Sequence, residues 1–194
     1  QYRSGRAHHI HKHVVDMQSS NNDEDYFVDR GLRFSGVARL YSNKDTSITT
    51  DIVLDRLSSA TVAVVGIGGV GSWAAESLCR SGIGNLIIID LDDICISNTN
   101  RQLHATSSNV GKMKIDVMKD RLLDINPMCN VTCIHDFVTV DNAETLLQSM
   151  LQEFQLTACI DAIDGMREKT ALILACDKHS IPIVTCGGAA GRSD

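Results

Sequence analysis

From Thr61 onward, apolar residues come in short dense runs separated by longer amphipathic stretches. The runs Thr61–Val65, Leu86–Asp90, Val131–Phe137, Ala158–Asp161 and Ile183–Thr185 read as strands of a sheet covered on both faces. Between them, stretches near Val70–Ser81, Gly111–Ile125, Asp141–Gln152 and Arg167–His179 space their apolar positions as helices do. Strand alternating with helix predicts an α/β fold: a doubly wound, Rossmann-like parallel sheet with helices on both faces and right-handed crossovers. Upstream, Arg33–Tyr41 and Ile48–Leu57 read as helical turns lying against the domain. Residues 1–30 lack apolar periodicity and read as a disordered polar tail, so the domain is drawn over 31–194. In that tail, His8, His9, His11 and His13 suit either a transition metal or a solvated segment, and they are left out of the site.

Composition narrows the picture. A chain of 194 residues with 43% hydrophobic residues suits one α/β domain. No stretch approaches the ~20 consecutive apolar residues of a membrane helix, and no apolar signal core opens the chain, so a cytoplasmic location is expected. The seven cysteines fall mostly in apolar patterns and form no C-x-x-C pair, which predicts reduced core residues. A net charge of −6 argues against broad, nonspecific attraction to nucleic acid. The chain opens on Gln1 and stops in the glycine-rich run Gly187–Asp194, which closes no element, and it reads as a fragment lacking its C-terminal part.

Candidate chemistry clusters after the strands, where open α/β sheets collect ligands. The run Gly66-Ile-Gly68-Gly69-Val-Gly71 joins the first strand to a helix, so free N–H groups and a positive helix end favour an anion there. A plain strand-to-helix turn is the alternative. Asp90 follows 19 residues after Gly71, a spacing that suits ribose hydroxyls, although a carboxylate there also caps turns. The loop Ser97-Asn98-Thr-Asn-Arg101-Gln102 carries a guanidinium whose planar fork fits phosphate oxygens. Lys112 and Lys114 sit at a helix start, where a cation is disfavoured unless an anion lies near. Asp164 suits Mg²⁺ against a triphosphate, or a helix cap, while Asp161 is expected to bond backbone N–H groups in its turn. Arg39 is a further cation or a surface charge.

Taken in order, these motifs with Val110–Lys114, Asn126-Pro127 and Asp161-Ala-Ile-Asp164 resemble the ubiquitin-activating-enzyme-like adenylating family of ThiF/MoeB type. Finer features, Arg33–Tyr41, Gly71–Glu76, Arg101–Ala105, Asp136–Thr139 and Gly187–Gly191, look like its branch that dehydrates threonylcarbamoyladenosine on tRNA. The resemblance implies that ATP with Mg²⁺ activates a carboxylate as an acyl-adenylate, after which ring closure completes a net loss of water. By position it implies that Gly66, Gly68, Gly69 and Gly71 meet the nucleotide and Asp90 the ribose. Asn98, Arg101 and Lys114 meet the phosphates, Asp164 holds Mg²⁺, and Arg39 reaches across a homodimer. The alternatives are adenylation of a ubiquitin-like or sulfur-carrier protein, or a noncatalytic dimer partner; eukaryotic relatives add a mitochondrial location as the second choice.

Overall fold

Five strands form an all-parallel sheet in the order β3-β2-β1-β4-β5. They are β1 (Thr61–Val65), β2 (Asn85–Ile89), β3 (Asn130–Ile134), β4 (Ala158–Asp161) and β5 (Ile183–Thr185). The computed structural model of the chain describes residues 22–43 and 47–187. Among these the helices are α1 (Asn22–Tyr41), α2 (Thr50–Ser59), α3 (Gly71–Arg80), α4 (Lys114–Ile125), α5 (Ala143–Glu153) and α6 (Met166–Lys178). From β1 the chain winds to β2 and β3 on one side and to β4 and β5 on the other. The strand order therefore reverses beside β1, which opens a crevice at the carboxyl ends of β1 and β4.

Alternation along each strand sorts the core into two layers. Val62, Val64, Leu86 and Ile88 pack with Ala75 and Cys79 of α3 and with Ile115, Met118 and Leu122 of α4. Ala63, Val65, Ile87 and Ile89 pack on the opposite face with Leu146, Leu147 and Met150 of α5 and with Leu172 and Cys176 of α6. Both faces are dry, which is why the strands read as continuous apolar runs rather than alternating ones. Each of the Val, Leu, Ile and Met side chains among them contributes about 1.5–3 kcal/mol by leaving water.

A smaller layer forms where α1 and α2 cross, around Phe34, Ala38, Val53 and Leu54. The Arg30 guanidinium, almost fully buried, bonds Asp55 at 2.8 Å and Ser58 at 3.0 Å and so ties the two helices together. The boundary drawn at residue 30 is thereby corrected, because 22–30 belong to α1. Little in the residue pattern signals this: Phe27, Val28 and Leu32 stay exposed, so no clean apolar stripe marks that stretch. The histidines from His8 to His13 lie outside the described residues.

Two other boundaries shift for local reasons. β3 ends at Ile134 rather than Phe137, because Asp136 accepts the Phe137 N–H at 2.8 Å and the Asn142 amide donates to the Phe137 carbonyl at 2.8 Å. Those bonds turn the chain away from the sheet and carry Phe137 and Val138 into the crevice. α4 starts at Lys114 rather than Gly111, since Gly111 has φ +85° and segment 111–112 pairs with Ile94 instead. Five of the seven cysteines are buried and all are free thiols; Cys95 departs from expectation by lying exposed.

Candidate functional site

The glycine turn after β1 is forced by crowding. Gly66 has φ +87°, and a Cβ there would stand 2.9 Å from the Ala162 carbonyl oxygen. A Cβ on Gly71 would fall 1.7 Å from the Gly66 carbonyl oxygen, so only glycine lets α3 start this close to the strand. Gly68 and Gly69 are less crowded: a Cβ there would make ordinary contact with the Gln102 amide at 3.8 Å and with the Arg101 stem at 3.4 Å. The main-chain N–H groups of Gly68 and Gly69 bond no described residue. Unpaired donors in the turn leading into a helix N-terminus form an anion cradle with it.

Asp90 stands one residue beyond β2 and is buried. It accepts the Ile67 N–H at 2.7 Å and the Asp92 N–H at 2.8 Å, so it holds the glycine turn in place. The turn-bonding role is thus real, and the carboxylate also lines the crevice. The Lys114 ammonium, 7% exposed, pairs with the Asp92 carboxylate at 2.6 Å. An anion from the chain itself therefore already answers the cation at the start of α4, and it takes one of three N–H donors.

On the β2–α4 loop, Asn98 accepts the Cys95 N–H at 2.9 Å, which leaves its NH₂ group without a partner among the described residues. The Arg101 guanidinium rests locally on the Ser97 carbonyl at 3.0 Å and the Asn100 side chain at 2.9 Å. Beside it the Gln102 side-chain oxygen is buried and unpaired. At the end of β4, Asp161 is fully buried, bonding the Ile163 N–H at 3.0 Å as expected and the Lys169 ammonium at 2.7 Å. Lys169 also donates to the Cys186 carbonyl at 2.9 Å, joining α6 to the ends of β4 and β5. Asp164 is exposed and takes no hydrogen bond from the described residues; the residue before α6 is Gly165, so Asp164 does not cap that helix.

These groups converge on one crevice of about 680 Å³, lined by Gly66, Gly68, Gly69, Asp90, Asn98, Arg101, Lys114 and Asp164 among others. Gly71 shapes it from behind. Arg39, on the exposed end of α1, is not among its lining residues. A groove of about 810 Å³ between α5 and α6 is more apolar and offers no comparable set of donors. Sequence reading missed Lys169, whose period-matched place in α6 looks like a solvated lysine. It also missed His104, whose ring is buried with both nitrogens unpaired; burial, then the Lys114 charge, holds it neutral with a pKa of about 4. Below the loop, Glu76 of α3 bonds Arg80 and Arg121, and these hydrogen bonds hold its carboxyl below the usual range although burial alone pushes it up.

Unpaired backbone donors, an exposed and a buried cation, and an exposed carboxylate thus line one crevice at a topological switch point, a donor set suited to an anionic ligand. The model of the ThiF family matches residues 41–194, and the chain belongs to that family. It is 49% identical over 162 residues to tRNA threonylcarbamoyladenosine dehydratase of Escherichia coli, covering 84% of this chain and 56% of that protein. With the dehydratase of Bacillus subtilis it shares 45% identity over 141 residues, covering 73% and 54%. The solved structure of the E. coli dehydratase TcdA in complex with ATP aligns with a TM-score of 0.74 at 48% identity, covering 84% of this chain and 62% of that one. The chain thus spans a little over half the length of these curated relatives. Among the described residues no helix is long and apolar enough to cross a membrane.

Proposed function

We propose that the chain carries the ATP-binding half of an enzyme that activates the carboxylate of threonylcarbamoyladenosine at tRNA position 37 and closes it with net loss of water. The single observation that supports this most is the pair of unbonded Gly68 and Gly69 N–H groups in the crevice that Arg101 also lines, with the Arg101 stem packed beside Gly69. Backbone donors there receive phosphate oxygens, and Asp90 shares its carboxylate with the ribose while keeping the turn fixed. Arg101 leaves its local carbonyl for the phosphates and, with Asn98 and the spare donors of Lys114, stabilises charge that develops when the substrate carboxylate attacks the α-phosphate. The exposed oxygens of Asp164 suit a hard divalent ion, and Mg²⁺ bound there supplies charge neutralisation for the leaving pyrophosphate. Attack by the substrate nitrogen then releases AMP with the former carboxylate oxygen, which balances the loss of water.

In this reading two copies associate, and Arg39, outside its own crevice and beside the exposed Leu40 and Tyr41, serves the crevice of the other copy. The test is pyrophosphate release from the full reading frame with ATP and threonylcarbamoyladenosine-bearing tRNA, set against a small ubiquitin-like protein. Release with the tRNA alone is expected. Release with the protein acceptor alone would transfer the reading to carrier-protein adenylation, and silence with both would leave a noncatalytic partner.

A further inference from the structure

Two neighbouring residues on the first turn of α3 grip the same short segment of the β2–α4 loop. The Ser72 hydroxyl accepts the Leu103 N–H at 3.3 Å while donating to the Gly68 carbonyl at 2.7 Å. The Trp73 indole N–H donates to the Arg101 carbonyl at 3.1 Å. Arg101 is rooted between these two bonds, with its aliphatic stem lying over Gly69. Its guanidinium, by contrast, is held only by exposed local acceptors. Trp73 itself is 53% exposed, an unusual outlay of aromatic surface for a residue with no buried packing role.

The structure assigns to Trp73 the part of a positioning residue: through one indole hydrogen bond to the Arg101 carbonyl, it fixes the root of the arginine that meets the nucleotide phosphates. The inference rests on the nucleotide reading of the crevice. A rooted backbone with a guanidinium held only by exposed local acceptors confines the side chain to an arc above Gly69, so less orientational freedom is lost when phosphate binds. Without the indole donor the segment keeps the Ser72 bond and the local turn bonds from the Arg101 and Gln102 N–H groups to the Asn98 carbonyl at 3.1 and 2.9 Å, but loses its tie from the Arg101 carbonyl to α3, and the arginine samples a wider volume.

Trp73→Phe keeps an aromatic ring and deletes the donor, at a site exposed enough for the fold to persist; an unchanged melting curve is the control. In the nucleotide-free protein, amide exchange across 99–106 is expected to rise about three- to tenfold, the worth of one hydrogen bond. By calorimetry, affinity for magnesium-ATP is expected to fall by a similar about three- to tenfold. In an Arg101→Ala background the same Trp73→Phe change is expected to alter that affinity by less than about twofold, because the guanidinium it positions has gone although the carbonyl it bonds remains. Equal losses in both backgrounds, or unchanged exchange across 99–106, would overturn the assignment. If Arg101→Ala alone left magnesium-ATP affinity untouched, the nucleotide reading would fail instead, and the exchange result would still report on the clamp.

Discussion

Asp161 and Asp164 stand three residues apart at the end of one strand and have opposite surroundings. Asp161 has no exposed surface and has each carboxylate oxygen bonded, to the Lys169 ammonium and the Ile163 N–H; Asp164 is exposed and bonds no described residue. Asp90 stands between them: buried and bonded by two backbone donors, it still lines the crevice. Burying an ionised carboxylate costs several kcal/mol unless it is bonded, so a buried, bonded carboxylate is a staple of the fold. An exposed and unbonded one at the crevice is available to a ligand. The cations divide the same way, with Lys169 inside and Arg101 outside.

The contrast is broken most directly at the turn that both groups depend on. Gly71→Ala sets a methyl group into the Gly66 carbonyl and is expected to cost at least about 4 kcal/mol, despite a gain in helix propensity of about 1 kcal/mol; urea unfolding checks it. Next, Lys169→Met strands the Asp161 charge in the interior and is expected to cost about 3–5 kcal/mol. Asp164→Asn is expected to shift stability by no more than about 0.5 kcal/mol while weakening magnesium-dependent turnover. Should the two substitutions cost the same in urea, the division between staple and ligand group is wrong.

His104 sharpens the comparison through pH. Its folded pKa of about 4 lies below the ordinary 6.5, so the unfolded chain takes up the proton more readily. Its contribution is therefore complete above pH 6.5, is lost as pH falls toward 4, and is flat below that, amounting to about 3 kcal/mol. Glu144 behaves alike in a lower window: hydrogen bonds from Lys178 and His179 hold its pKa at about 2, so its smaller share disappears from pH 4.5 downward. His104→Leu is expected to abolish the loss between pH 6.5 and 4 and to leave the lower one in place. A persistent slope in the upper window would assign it to another group.

Much of this architecture was legible because buried parallel strands and glycine turns write themselves locally. The run Thr61–Val65 needed no tertiary knowledge, and the crowding at Gly66 and Gly71 is the physical content of their spacing. What stayed hidden depends on partners distant in the chain. Lys169 differs from a surface lysine only through Asp161 and Cys186, and α1 reads as polar because Asp55 and Ser58, which hold Arg30, belong to another helix. Lys114 shows the converse: its odd place at a helix start was visible, but its first partner is Asp92 rather than a bound phosphate. The early end of β3 turned on Asn142, eight residues downstream of Ile134, whose side chain no propensity scale weighs.

Calorimetric titration of the purified chain with magnesium-ATP, alongside NAD, tests the central claim that the crevice is built for a triphosphate. Saturable binding of one magnesium-ATP per chain, weakened by Arg101→Ala and absent with NAD, is the predicted result. Saturable binding of NAD without any heat from magnesium-ATP would contradict it.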